Sequence, residues 1–200
     1  MPSSTPPSLT RLMQEFEKLP GIGPRSAERL AFHILKSDKD TAMALAGAIR
    51  EVKENVRHCR TCYNLTESDP CPICADPKRD ATTIFVVEQP NDVVLLEATG
   101  LVRGVYHVLL GHIAPLDGVE PGDLTIEALV ARVKKGDIRE VVLATNPTME
   151  GEGTALHIKS VLAGMPVNVT RLARGLPSGS QIEYATRAVL QDAIEGRKSF

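Results

Sequence analysis

Tryptophan is absent from this chain, and aromatic residues of any kind make up only 4% of it. A core of 200 residues at 42% hydrophobic content must therefore be packed with aliphatic side chains. No apolar run approaches the length of a membrane span, and no signal-peptide pattern opens the chain, so a cytoplasmic protein is expected. There is no G-x-x-x-x-G-K-[ST] loop, which removes the usual phosphate cradle of nucleotide hydrolysis. Internal repeats are missing, and the Ser/Pro-rich first eight residues are the one low-complexity stretch, expected to be disordered. Net charge is also scarce, at −2. That value predicts neither an acidic nor a basic partner, but its distribution is uneven. Residues 1–60 carry ten Lys and Arg against seven Asp and Glu, whereas the remainder carries thirteen against eighteen. Such a division is found where one segment faces a polyanion, and three net charges are also within the reach of chance.

What is present starts with "LPGIGPRSAERLA", Leu19 to Ala31. Ser8 reads as the cap of a first helix whose apolar positions Leu9, Leu12, Met13, Phe16 and Leu19 follow helical spacing. Pro20 and Gly21 stop it. Pro24 suits the first position of a second helix, where a missing N–H costs nothing. Ala27, Leu30, Ala31 and Ile34 form its apolar face, while Arg25 and Arg29 share another face at i and i+4. Helix, G-x-G turn and helix make a helix-hairpin-helix pattern. Gly21 and Gly23 let backbone N–H groups approach a phosphate, and the helix dipole favours the anion. Arginines on the first turns then neutralise neighbouring phosphates, a contact that ignores base sequence and weakens with salt. The plainer alternative is a helical hairpin whose glycines only close a turn, with Glu28 pairing locally. A third helix is expected to bury a stripe of Ala42, Leu45, Ala46, Ile49, Val52 and Val56.

Four cysteines follow in "CRTCYNLTESDPCPIC": Cys59, Cys62, Cys71 and Cys74. Two C-x2-C knuckles can aim four thiolates at one point, the arrangement of a tetrahedral zinc site. With four sulfur ligands no position is left for water, so one structural Zn2+ is expected. His58, beside Cys59, is then left out of the shell. The competing assignments are an iron–sulfur cluster and two disulfides. In a reducing compartment disulfides are disfavoured.

Beyond the cysteines, strands and helices alternate. Strands are expected at "TTIFVVE", "GVYHVLL", "EVVLATN" and "VNVTRLA", and helices at "NDVVLLEATG" (capped by Asn91 or Asp92), "TIEALVARVKKG" and "GTALHIKSVLAG". This order implies an α/β fold with a mostly parallel sheet covered on both faces. Gly111 to Leu124 is a long, turn-rich connection of the kind that often binds ligands. His107 is expected to pack within a strand and His112 to sit in a surface turn. "SQIE", Ser180 to Glu183, reads as a capping box opening a last helix with Ile182, Ala185, Val189, Leu190 and Ile194. That helix can pack at a distance, on another subunit. Functional groups in parallel sheets gather at the carboxyl ends of strands. Glu88 lies at one such end, and the loop with Glu150 and Glu152 at another. Such acids can hold a divalent cation such as Mg2+ against a phosphodiester; solvated loop acids are the bland alternative. The layout resembles the Toprim domain of topoisomerases and primases. The Asp-x-Asp of that domain's second motif is replaced here by Asn146-Pro147-Thr148, which argues against efficient metal catalysis and leaves a metal-dependent nuclease or primase as the second reading.

Taken together, "LPGIGPRSAERLAFHIL", the cysteine knuckles, "YHVLLGHIAPLDG", "ATNPTMEGEGTA" and "LARGLPSGSQIEYA" resemble the RecR family of bacterial recombination mediators over nearly the whole chain. The resemblance implies a non-enzymatic protein of recombinational DNA repair, a homotetrameric ring that encircles DNA in the nucleoid. It implies work with RecO and RecF to help load RecA at single-strand gaps. By the same resemblance Arg25 and Arg29 point into the ring. Glu88, Asp92, Glu150 and Glu152 are then the Toprim acids, contributing to partner contact or metal association. The expected organisation is a helix-hairpin-helix region (1–57), a four-cysteine zinc motif (58–77), a Toprim-like domain (80–175) and a C-terminal helical segment (176–200).

Overall fold

A computed structural model describes residues 5–198. The chain divides into two compact units, residues 1–56 and 57–200. The first is helical: α1 (Pro7–Glu17), α2 (Pro24–Lys36) and α3 (Lys39–Asn55). α1 begins one residue before Ser8, with Pro7 at its first position, so Ser8 does not cap it. A fixed φ suits proline to that place better than a hydroxyl one residue inside the helix. The expected disorder of residues 1–8 falls partly outside the described residues, and Pro7 and Ser8 are already helical. Leu19 lies beyond α1 and is half exposed. α1 packs on α2 through small residues: Ala27 and Ala31 are fully buried, and Leu9 nearly so.

The third helix departs from expectation. Asp38 caps α3, accepting from the Thr41 N–H at 2.8 Å, yet none of the helix's seventeen residues is buried. Leu45, Ile49 and Val52 are 45%, 59% and 58% exposed. The apolar stripe is present as read, but nothing among the described residues of this unit covers it.

The second unit opens with a short antiparallel pair, β1 (Arg57–His58) and β2 (Leu65–Thr66), followed by one helical turn, α4 (Pro72–Ala75). Four parallel strands follow: β3 (Asp80–Val87), β4 (Gly104–Val108), β5 (Glu140–Leu143) and β6 (Asn168–Arg171), in the order β4-β3-β5-β6. Between them run α5 (Pro90–Ala98), α6 (Ile126–Lys135) and α7 (Met149–Val161), and α8 (Arg187–Glu195) follows the last strand. Alternate residues of the central strand face opposite sides. Ile84 and Val86 join Leu129, Val133 and Ile158 of α6 and α7 in the larger core, while Val87 joins Val93 of α5 and Tyr106 in the smaller. These buried aliphatic side chains each contribute about 1.5–3 kcal/mol. The α/β sheet covered on both faces is thus as expected.

Several helix starts differ from their reading. α5 is capped by Gln89, with Asp92 returning a bond to the Gln89 N–H at 2.8 Å, so Asp92 sits inside the first turn. α7 begins at Met149 under a Thr148 cap, four residues earlier than expected, because the Thr148 hydroxyl accepts from Gly151 N–H at 3.1 Å. Glu150 and Glu152 therefore stand on a helix and not in a loop. The "SQIE" box opens no α-helix; Ile182–Tyr184 is a single tight turn, and α8 starts later under Thr186, which accepts from Val189 N–H. Among the described residues no helix is long and apolar enough to cross a membrane.

Candidate metal centre and nucleic-acid interface

The hairpin turn is built by Gly21, whose φ of +78° lies in the left-handed region, and by the bond from Ile22 N–H to Leu19 carbonyl at 3.1 Å. Gly23 is the extended N-cap of α2, and Pro24 is its first residue. No side chain caps this end, which leaves the first amides of α2 open to an anion at the positive end of the dipole. A Cβ on either glycine would meet nothing within 4 Å, so the space above the turn is free. Arg25 and Arg29 are both exposed, and neither makes an ion pair or hydrogen bond among the described residues. Glu28, the local partner in the plainer reading, pairs with neither of them. Two uncommitted guanidinium groups thus flank an uncapped helix start, a geometry suited to backbone phosphates.

The cysteines converge. Cys59 and Cys62 sit in the turn after β1, where Tyr63 N–H bonds Cys59 carbonyl at 2.9 Å and Cys59 N–H bonds Asn64 carbonyl at 2.8 Å. Cys71 caps α4, and Cys74 lies within it. All four sulfurs lie within 4.8 Å of one another, and Cys62 and Cys71 Sγ are 3.6 Å apart. A Zn–S bond of ~2.3 Å in a tetrahedron spaces its sulfurs by about 3.8 Å, so the cage fits one such ion. The 3.6 Å gap is far from an S–S bond of about 2.05 Å, and the cysteines are free thiols. A multi-iron cluster would hold its sulfurs farther apart. Burial alone would raise the Cys59 thiol, but N–H donors from Cys71, Cys62 and Thr61 outweigh it and bring its pKa down to about 7. Cys62 is pushed up, first by its hydrogen bond with Cys74 and then by burial, and Cys71 is pushed up to about 11, chiefly by burial. Four thiolates this close repel unless a dication sits between them. His58 stands outside, its Nδ1 3.0 Å from the Tyr63 carbonyl. The knuckle is tied to the sheet: Val108 N–H donates to the Cys62 carbonyl at 2.8 Å, and the Tyr63 ring meets His107 edge-on at 5.4 Å.

The acids do not converge. Glu88, 3% exposed just past β3, accepts from Asn146 N–H at 2.7 Å and from Asn146 Nδ2 at 2.8 Å, with His112 Nδ1 3.2 Å away. The register of β3 on β5 puts Val86 beside Leu143, which brings the residues after both strands together. An amide now donates to the Glu88 carboxylate where the Asp-x-Asp pattern would offer a second acceptor. His112 is therefore a partner of Glu88 and not a free surface turn, and neither it nor Asn146 was identified as functional from the sequence. The only signal was Asn146 itself, standing where an acid was expected. Asp92 is committed to capping, and Glu152 pairs with Arg171 at 3.2 Å and with Arg174. Among the described residues these four acids form no group close enough to share an ion. The suggested Mg2+ draws no support from this arrangement.

Gly151 is the tightest point of the constellation. A Cβ there would stand 2.1 Å from the Asn146 carbonyl oxygen and 2.8 Å from Glu88 Oε1. Gly151→Ala is expected to destabilise the protein by roughly 2–4 kcal/mol through overpacking and a displaced Glu88–Asn146 pair. Urea unfolding checks it: a midpoint equal to that of wild type would show that the contact yields freely.

The chain matches three family models: RecR, helix-hairpin-helix, over residues 9–53; the RecR zinc finger domain with four cysteines, over 56–76; and the Toprim domain, over 82–173. It is 54% identical over 191 residues to the recombination protein RecR of Rhodopirellula baltica, covering 96% of each chain. It is 53% identical over 191 residues to that of Rubrobacter xylanophilus, again 96% of each, and 45% identical over 197 residues to that of Dehalococcoides mccartyi, 98% of this chain and 97% of the other. The zinc-finger match and the sulfur cage together support one structural zinc per chain.

Proposed function

We propose, because this chain belongs to the RecR family of recombination proteins, that it is a non-enzymatic clamp and adaptor that holds DNA by its backbone during recombinational repair. The observation that carries this reading is the pair of arginines, Arg25 and Arg29, unpartnered among the described residues beside the uncapped start of α2. Their contacts are with phosphates and so are indifferent to bases. Gly21 and Gly23 belong to the same surface. By family resemblance the partners are RecO and RecF, the outcome is help in loading RecA at single-strand gaps, and the place of work is the cytoplasm and its nucleoid.

Two phosphate contacts from one chain bind weakly. Several copies linked in a ring gain from effective concentration, and a loose grip suits a clamp that slides. By family resemblance the assembly is a homotetramer; the exposed stripe of α3 supports self-association as such, since Leu45, Ile49 and Val52 on one amphipathic helix need a cover. Ile49→Asp combined with Val52→Asp is expected to lower the solution mass and, with it, DNA affinity by tenfold or more. Because both side chains are exposed, the fold of a single chain is left intact. Light scattering checks this. An unchanged mass would remove α3 from the assembly.

The second reading, a Toprim nuclease or primase, is weakened by the hydrogen bonds that Glu88 already accepts from Asn146. Magnesium-dependent cleavage or synthesis lost in Glu88→Gln would restore it. The acids Glu88, Asp92, Glu150 and Glu152 are read instead as bracing and as a partner-facing edge, with the Glu150 side chain exposed and uncommitted among the described residues.

A further inference from the structure

We propose that a second ligand site, in the unit of residues 57–200, lies between the cysteine knuckle, β4 and α6, and that it takes a nucleoside phosphate. The cavity measures about 610 Å³, within the range of small-molecule sites. Glu88 does not line it.

Its polar lining is made of donors. Arg60, Arg132 and Lys135 line it, and no aspartate or glutamate does. Arg60 uses its Nε on Asp69 at 3.1 Å, which leaves both terminal nitrogens unpaired among the described residues. Arg132 gives Nη1 to the Tyr106 carbonyl at 2.6 Å, which fixes the guanidinium and leaves Nη2 unpaired among the described residues. Lys135 and the hydroxyls of Thr61 and Tyr63 have no partner among the described residues. Cys74 also lines one wall, and a zinc tetrathiolate brings a formal charge of about −2 there. Net charge is thus largely offset. Free donors around one open cleft carry the recognition, and they call for a ligand rich in acceptor oxygens, as a phosphate is.

The remaining lining is apolar: Ala81, Val105 and Ile138 beside the Tyr63 ring. That ring is set in advance. Its backbone stands at φ 62°, held by the bond from Tyr63 N–H to Cys59 carbonyl, and the ring rests against His107. An aromatic ring with small aliphatic neighbours suits the flat face of a base, and the adjoining cations suit its phosphate. An acidic peptide would satisfy the cations and leave this apolar part unused, so the nucleotide is favoured. The nucleotide can be free or a unit of a strand.

Calorimetric titration of the full-length, zinc-loaded protein with adenosine 5′-monophosphate tests the site. Binding is expected, with adenosine and inorganic phosphate each at least tenfold weaker. Arg60→Gln with Lys135→Gln should weaken it tenfold or more, and so should Tyr63→Asn, which removes the ring while tolerating the positive φ. Arg25→Ala with Arg29→Ala should leave it unchanged, which separates this site from the hairpin. A short oligodeoxyadenylate that competes with the nucleotide in that hairpin variant identifies a strand as the source, and failure to compete identifies the free nucleotide. The proposal is overturned if the nucleotide does not bind, if inorganic phosphate binds as tightly, if the cation variant binds like wild type, or if a polyglutamate peptide binds there and the nucleotide does not.

Discussion

Arg25→Ala combined with Arg29→Ala is expected to weaken DNA binding roughly 30- to 1000-fold at moderate salt. The range follows from two charge-assisted contacts worth about 1–2 kcal/mol each, every 1.4 kcal/mol being about tenfold. Stability should change by less than about 0.5 kcal/mol, because both side chains are exposed and unpartnered among the described residues. Assembly should also persist, since the exposed α3 stripe lies elsewhere. The loss should be alike for unrelated duplex sequences, as phosphates are the same everywhere. Gel-shift or anisotropy titrations, paired with a melting curve, separate lost contact from lost fold. Wild-type affinity in the variant would remove the hairpin from DNA binding. A lowered melting temperature would assign the arginines to structure instead.

Removing the metal should have the next largest effect. Cys59→Ser, or a strong chelator, is expected to unfold residues 57–78 while the parallel sheet persists. The cysteine segment buries little besides Cys59, Cys62, Cys71 and the side of Ile73, so it has almost no core of its own. Structural zinc supplies about 10–16 kcal/mol in comparable peptides, far more than those contacts can replace. The sheet retains Ile84, Val86, Leu129 and Ile158, which do not depend on the metal. It loses the Val108–Cys62 bond, the Tyr63–His107 contact and the packing of Tyr63 and Ile73 against the smaller core. Amide exchange should therefore quicken across the knuckle and at the end of β4, with core strands still protected. Metal analysis should return one zinc per chain in the wild type. Iron in its place, or a knuckle equally protected without metal, would contradict this reading.

What could be read from the sequence divides along physical lines. The cysteine cage was legible because two C-x2-C turns leave few geometries for four thiols. The α2 face was legible because Ala27 and Ala31 follow a helical period that the packing obeys. The α3 stripe was equally visible as a pattern, but a period reports only which face is apolar and not what covers it. Helix starts were the least legible. Local competition decides them: Thr148 over Gly153, Thr186 over Ser180, Gln89 over Asn91. The Glu88 site was half legible. A strand-end acid is a local signal, whereas its pairing with Asn146 depends on the register of β3 on β5, which no single segment encodes. Glu152 was grouped with Glu88 by its place at a neighbouring strand end and Asp92 by resemblance, and their actual partners, two arginines and a backbone amide, lie where spacing alone gave no hint.

Guanidinium groups gripping the phosphate chain are the centre of this picture, and the salt dependence of affinity tests them most directly. The logarithm of the association constant for random duplex DNA, plotted against the logarithm of salt concentration, should fall steeply, by about 0.9 for each phosphate contacted. The slope should lose about two units per hairpin engaged when Arg25 and Arg29 are replaced. A flat line for the wild type, or one slope shared by wild type and variant, would contradict the central claim.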